Sequence, residues 1–243
     1  ESEDGLPGLN SSIFAYLRAR DDGNSPYTQQ LTDNWRMNQT LSDFPAETLY
    51  GPEYQPATES IKGQRVAFRD RTIGGLTPDE KKLCEWIAAP EYPMTLCILE
   101  GVRATVENEA EAELVAKITK YLRERLINPD TGTVYRNTGD GDTEFWRRGL
   151  FIVSPHHAQI RAVRRELSLV RQWLSPSFVD TVDKMQGQQS YCVIVSYGVS
   201  DIETALGEAE FIYSLNRINV SVSRARSKCI VFLPRPLLEP SFD

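Results

Sequence analysis

The segment Arg217-Ile218-Asn219-Val220-Ser221-Val222-Ser223-Arg224-Ala225-Arg226 carries three arginines, with Lys228 and the apolar run 229–233 close behind. No acid lies between Ser214 and Arg235, so this stretch is cationic within a chain of net charge −7. Something anionic should meet it. Arg217, Val220 and Arg224 follow the i, i+3, i+7 spacing of one helix face, which lets two guanidinium groups point into the same space. A guanidinium keeps its charge at any working pH and grips phosphate oxygens in a bidentate fork, so Arg224 is a candidate for stabilising charge on a transferring phosphoryl group. The plainer reading is a solvated basic helix end favoured by the helix dipole, and arginine spacing alone leaves both open. The pattern predicts a helix over 215–226 feeding a buried strand over 228–233.

Moving outward, runs 178–182 and 191–197 read as two more strands joined by a polar loop that contains Gly187, and an acidic loop covers 201–210. A strand over 150–153 ends at Ser154-Pro155. The helix expected over 157–174 aligns Ile160, Val163, Leu167, Val170 and Leu174, and its other face carries Arg161, Arg164, Arg165 and Arg171. A further amphipathic helix is expected over 108–126 and a buried strand over 94–99. Segment 128–149, rich in Gly, Asp, Thr and Asn, predicts a small hairpin or exposed excursion. Residues 39–82 read as loops and short elements, and 11–18 as a short helix. Strands alternating with helices in this order predict a three-layer α/β fold with a mostly parallel sheet. The expected organisation is an entry segment over 1–90 and a core over 91–243, with 128–149 as its excursion.

Length and composition agree with a chain that buries a full core: 243 residues, 40% hydrophobic and 25% charged. No run of about 18 apolar residues occurs, so no membrane-spanning helix and no membrane partner are expected. Four cysteines without CxxC spacing and only two histidines make a zinc site a poor expectation, and no metal ligands are assigned. Cysteines placed in apolar runs suit a reducing compartment, hence an intracellular protein, nuclear or cytoplasmic. The first residues are acidic, lack an initiator Met and do not resemble a signal peptide, so the chain reads as part of a longer protein. Negative net charge argues against coating nucleic acid by bulk electrostatics, and leaves local patches to do any such binding.

Five segments, in order, resemble motifs of one family. Trp35-Arg36-Met37-Asn38 with Phe44-Pro45 is similar to Tyr-Arg-Met-His followed by Phe-Pro. Asn108-Glu109-Ala110-Glu111-Ala112 resembles Asn-x-x-Glu-Ala. Ile152-Val153-Ser154-Pro155 with Gln159 resembles Ile-Thr-Pro-Tyr-x-x-Gln. Thr181-Val182-Asp183-Lys184-Met185-Gln186-Gly187 resembles Thr-Val-Asp-x-Phe-Gln-Gly, and the arginine segment resembles Arg-Leu-Asn-Val-Ala-Leu-Thr-Arg-Ala-Arg. These are motifs of the superfamily 1 helicases related to the nonsense-mediated decay helicase and the Okazaki-fragment processing helicase-nuclease, in their second RecA-like domain.

The resemblance implies a RecA-like fold, ATP with Mg as cofactor, and single-stranded DNA or RNA as partner. It implies that Arg36 and Arg224 act as arginine fingers on the γ-phosphate, and that Trp35 packs near the adenine. Gly187, Gln189 and Arg217 line the nucleotide side. Ser154, Pro155, His156 and Thr181 meet the nucleic-acid strand, and Gln186 couples the two sites. Taken alone, Trp35 beside Arg36 reads equally as packing with a snorkelling cation. Three departures stand out: Gln189 where the family has Glu, Tyr191 where Asp is common, and His156 in place of Tyr. No Gly-x-x-x-x-Gly-Lys-Ser/Thr and no strand ending in Asp-Glu occurs, so ATP and Mg are expected to be held mainly by a preceding RecA-like domain, and this chain alone is expected not to hydrolyse ATP. The rival expectation is a non-catalytic nucleic-acid or protein-binding module of helicase ancestry.

Overall fold

The computed structural model describes residues 29–102, 104–185, 187–199, 201, 203–204 and 215–233, with side chains of the last stretch from Ile218 onward. The helix expected over 11–18 and most of the acidic loop lie outside the described residues. From Asp33 on, the chain forms one compact unit.

Its frame is a five-stranded, wholly parallel sheet. Along the chain come helix α1 (Gln39–Pro45), helix α2 (Pro78–Ile87), strand β1 (Met94–Cys97), helix α3 (Glu109–Arg125), strand β2 (Leu150–Val153), helix α4 (His157–Val170), strands β3 (Val179–Asp180) and β4 (Ser190–Ser196), helix α5 (Leu215–Val222) and strand β5 (Ala225–Phe232). The spatial order is β1-β5-β4-β2-β3. Registers such as Phe151 opposite Val193 and Cys229 opposite Met94 fix which side chains share a face.

Alternation along the strands then builds two cores. Leu150, Ile152, Cys192 and Ile194 face α3 and α4, meeting residues such as Leu122 and Val163. Phe151, Val153, Val193 and Cys229 face the other way, onto Met37 and Leu41 and onto Val222 of α5. The inner strands β2 and β4 are buried on both faces, which is why 150–153 and 191–195 read as unbroken apolar runs, whereas Leu96 on edge strand β1 is 46% exposed. This is the three-layer, RecA-like α/β architecture.

Helix starts follow the side chains that precede them. Thr77 and Glu80 form a capping box at α2, and the Asn108 side chain accepts from the Glu111 N–H at α3. Among the described residues no helix is long and apolar enough to cross a membrane.

The excursion and the helix that follows it differ from expectation. Segment 128–149 pairs Ile127–Asn128 with Thr133–Val134, but then forms a helix over Gly139–Glu144 and a π-type turn over Phe145–Gly149. Asp142 explains it: fully buried, it takes Arg123 Nε at 2.8 Å, Arg171 Nη2 at 3.2 Å and the Leu174 N–H at 2.8 Å. Those same bonds draw 171–174 out of the helix expected there, so α4 ends at Val170. The excursion is therefore packed into the core beside α3, with Phe145 stacked on Trp173 and Trp146 tilted against it.

Candidate functional site

The arginine segment is a helix only to Val222; Ser223 and Arg224 form the turn into β5. Strand pairing ends the helix, because Ala225 pairs with Ser190 and the Ser190 N–H donates to the Arg224 carbonyl at 2.9 Å. The Arg224 side chain folds back on that turn, donating through Nε to the Val220 carbonyl at 3.1 Å and through Nη1 to the Gln188 carbonyl at 3.4 Å.

Arg36 comes to the same rim from far away in the chain. Asn34 makes this possible: its Oδ1 accepts from the N–H groups of Arg36 and Met37, both at 3.0 Å, while its Nδ2 donates to the Met37 carbonyl. The tight turn that results buries Met37 in the core and leaves Trp35 at 69% exposure. Asn38, fully buried, then ties the turn to β5, with Nδ2 donating to Ser227 O at 3.0 Å and its N–H donating to Arg226 O at 3.1 Å. Arg36 Nη1 donates to the Ser223 carbonyl at 2.7 Å and Nε to Gln189 Oε1 at 3.1 Å.

Both guanidiniums are half-buried, and burial lowers the pKa of each; the nearby Arg36 charge lowers that of Arg224 further. Among the described residues no carboxylate pairs with either one. Their acceptors are neutral carbonyls and one amide, which hold a guanidinium less firmly than a carboxylate does. Tyr54 lies within the field of both arginines: burial raises its pKa, and the two cations pull it back. Tyr50 stacks at a tilt on Tyr54, with centroids 4.8 Å apart. Gly187, with φ of +80° where other residues are strained, turns the loop into the Gln188–Gln189 pair.

The rest of the cationic stretch is dispersed. Lys228 is fully buried, its ammonium bonded to Ala89 O at 3.1 Å, Tyr92 O at 2.5 Å and Thr95 Oγ1 at 2.8 Å, and burial pushes its pKa down to about 8. The Arg226 guanidinium sits 4.7 Å from the Tyr191 ring centroid, and the Tyr191 hydroxyl, standing where an acid was expected, donates to Asp130 at 2.7 Å. The Arg217 side chain and all of Gln186 lie outside the described residues.

Ser154, Pro155, His156 and Thr181 gather at the opposite edge of the sheet. Ser154 and Thr181 follow adjacent strand ends, with Val153 opposite Asp180 and the Ser154 N–H donating to Asp180 O at 3.1 Å. Ser154 is buried and its hydroxyl accepts from the His156 N–H at 3.3 Å, so Pro155, His156 and Thr181 are the half-exposed surface here. The motif residues thus divide between the two ends of the parallel strands. Arg36, Arg224 and Gln189 lie at the amino ends of β4 and β5, with the length of a strand, about 20 Å, separating the two edges. Thr181 stands at one edge and Gln189 at the other, with Val182–Met185 forming a 3-10 turn after Thr181.

Beneath the carboxyl edge lies a buried polar network. Glu111 Oε1 accepts from Ser196 Oγ at 2.6 Å and from the Gly198 N–H at 3.1 Å. Gln159 donates to Ser196 Oγ at 3.0 Å and accepts from the Asn108 N–H at 2.8 Å. Gly198 has φ of +72°, and a Cβ there would lie 2.6 Å from Gln159. Burial raises the pKa of Glu111 to about 7, against the lowering effect of its two donors. Sequence reasoning marked Asn108, Glu111 and Gln159 as motif residues, but it missed that they meet one another, and it missed Asn34, Tyr50 and Tyr54 at the rim.

A family model described as "AAA domain" matches residues 9–233. The chain is 21% identical over 235 residues to the DNA replication ATP-dependent helicase/nuclease dna2 of Schizosaccharomyces pombe, covering 93% of this chain and 15% of that protein. It is 26% identical over 203 residues to the "Probable helicase senataxin" of Mus musculus, covering 81% of this chain and 6% of the relative. An uncharacterized ATP-dependent helicase of Methanocaldococcus jannaschii is 24% identical over 221 residues, covering 88% and 28%. The chain thus spans less than a third of these relatives' length.

Proposed function

Because this chain belongs to the AAA domain family, we propose that it is the second, C-terminal RecA-like motor domain of a superfamily 1 DNA or RNA helicase. The observation that carries this reading is the arginine rim: two guanidiniums from distant segments, without a carboxylate partner among the described residues, beside an exposed tryptophan.

Such a rim fits part of a nucleotide. Arg36 and Arg224 exchange their neutral acceptors for the γ-phosphate, and Trp35 offers its ring to the base. The metal does not fit: among the described residues no cluster of three His, Cys, Asp or Glu is placed to hold one, and no Gly-x-x-x-x-Gly-Lys occurs. A preceding RecA-like domain supplies the phosphate cradle and the Mg ligands, and ATP hydrolysis supplies the free energy for movement. Gly187, Gln189 and Arg217 complete the nucleotide side.

At the other edge Pro155, His156 and Thr181, set on Ser154, contact the backbone of a single strand. Loop 181–189, with Gln186 in it, links that strand to the rim through the Gln189–Arg36 bond. Closure of the two domains on ATP is thereby felt at the nucleic-acid edge.

A titration of the full-length protein with matched DNA and RNA single strands, with and without a non-hydrolysable ATP analogue, tests the reading. Strand affinity that changes with the analogue and weakens in Thr181→Ala is expected. Strand binding indifferent to nucleotide, without ATP hydrolysis, would favour the non-catalytic module.

A further inference from the structure

Tyr50 and Asn219 lie 169 positions apart in the chain, yet Asn219 Nδ2 donates to the Tyr50 hydroxyl oxygen at 3.1 Å. Asn219 is buried on α5, one residue before the Val220 carbonyl that receives Arg224 Nε. The Ser223 N–H, in turn, donates to the Asn219 carbonyl at 2.8 Å, and the Ser223 carbonyl is the acceptor of Arg36. Both guanidiniums are thus held by carbonyls of one short turn, whose far end is moored to Tyr50.

Tyr50 is itself well anchored. It closes the π-type turn over Ala46–Tyr50 directly after α1, the helix whose start Asn38 ties to β5. Its ring lies against Tyr54, which stands within the electrostatic reach of Arg36 and Arg224 alike. The bond therefore bridges the segment that delivers Arg36 and the helix that delivers Arg224.

We propose that the Tyr50–Asn219 bond is a strut that sets the spacing of the two arginines, so that Tyr50 and Asn219 are positioning residues for phosphoryl transfer. The proposal rests on the motor reading above. Neither side chain has to touch the nucleotide. A misplacement of the arginines on the order of 1 Å slows a phosphoryl transfer that depends on geometry, while nucleotide binding relies on the base and the phosphate cradle and is little changed.

The experiment is nucleic-acid-stimulated ATP hydrolysis by the full-length protein, read as kcat and KM, for Tyr50→Phe, Asn219→Ala, the double variant and Arg224→Ala. Removing only the hydroxyl in Tyr50→Phe is expected to lower kcat about 5- to 10-fold with KM for ATP within about twofold, the scale of one lost hydrogen bond. The double variant is expected to lose no more than the worse single one, because both remove the same bond. If Tyr50→Phe is too unstable to assay, Asn219→Ala breaks the bond from the other end and carries the same expectation. Unchanged kcat in either folded variant, or a change in thermal midpoint alone, would overturn the proposal while leaving the motor reading in place if Arg224→Ala is silent. Full activity in Arg224→Ala would remove both.

Discussion

Arg36 Nη1 lies 2.7 Å from the carbonyl of Ser223, the residue next to Arg224, although 187 positions separate the donor from its acceptor. The bond brings two cations to one rim and leaves them with neutral acceptors. Like charges held together with no carboxylate partner among the described residues make a site that an anion stabilises, and a triphosphate tail from a facing domain is an anion of the right kind.

Trp35 is the simplest part of this rim to probe. An aromatic ring 69% exposed contributes little to the core, so Trp35→Ala should change the thermal midpoint only slightly. If it stacks on a base, the KM for ATP of the full-length protein should rise about tenfold, the scale of base stacking on an aromatic. Equal KM values for the variant and the parent would remove Trp35 from the nucleotide site.

Asn38 affects both stability and activity. Asn38→Ala removes the cap of α1 and two tethers, to Gln64 O at 2.9 Å and Ser227 O at 3.0 Å. A loss of about 2–3 kcal/mol in urea unfolding is expected, together with reduced ATP turnover, because the turn that delivers Arg36 is no longer pinned to β5. An unfolding midpoint equal to the parent's would show the tether to be idle.

Much of the frame was legible from periodicity. The strands at 150–153 and 191–197 and the helix at 108–126 stand within a residue or so of where their patterns put them, because both sheet faces are buried and the helix is strongly amphipathic. The arginine segment was read as one helix through 226, and local propensity allows that. The pairing of Ala225 with Ser190, a contact across the sheet, is what ends it at Val222. Lys228 was counted with the cationic stretch expected to meet an anion, since nothing nearby in sequence reveals the two carbonyls and one hydroxyl that await it. The candidate arginines were legible as residue types; their shared rim was not, because Asn34 and Ser223, which bring them together, are ordinary turn residues in sequence.

Glu111 gives the fold a pH signature. Its folded pKa, about 7, is above that of an unfolded glutamate, so its favourable contribution is complete below about 4.5 and is lost as pH rises through 7. Glu111→Gln keeps an acceptor for Ser196 and Gly198 but cannot ionise. Urea unfolding at pH 5 and pH 8 should show the parent losing stability relative to Glu111→Gln, by about 3 kcal/mol over that interval. Parallel pH profiles would mean that the carboxyl titrates normally.

Lys228 probes the same face of the sheet at another point, opposite Cys192. Lys228→Met leaves the carbonyls of Ala89 and Tyr92 without their donor, while removing the cost of burying the ammonium. A net destabilisation of about 1–3 kcal/mol at pH 7 is expected in urea unfolding. A variant as stable as the parent would show that relief of the buried charge offsets the lost bonds.

The most direct test of the arginine rim is single-turnover ATP hydrolysis by the full-length protein on saturating single strand, with Arg224→Ala beside the parent and nucleotide affinity measured in parallel. A rate lower by about three orders of magnitude or more, with nucleotide and strand still bound and the thermal midpoint unchanged, is the expected result. Hydrolysis at a near-parental rate by a folded Arg224→Ala protein would contradict it.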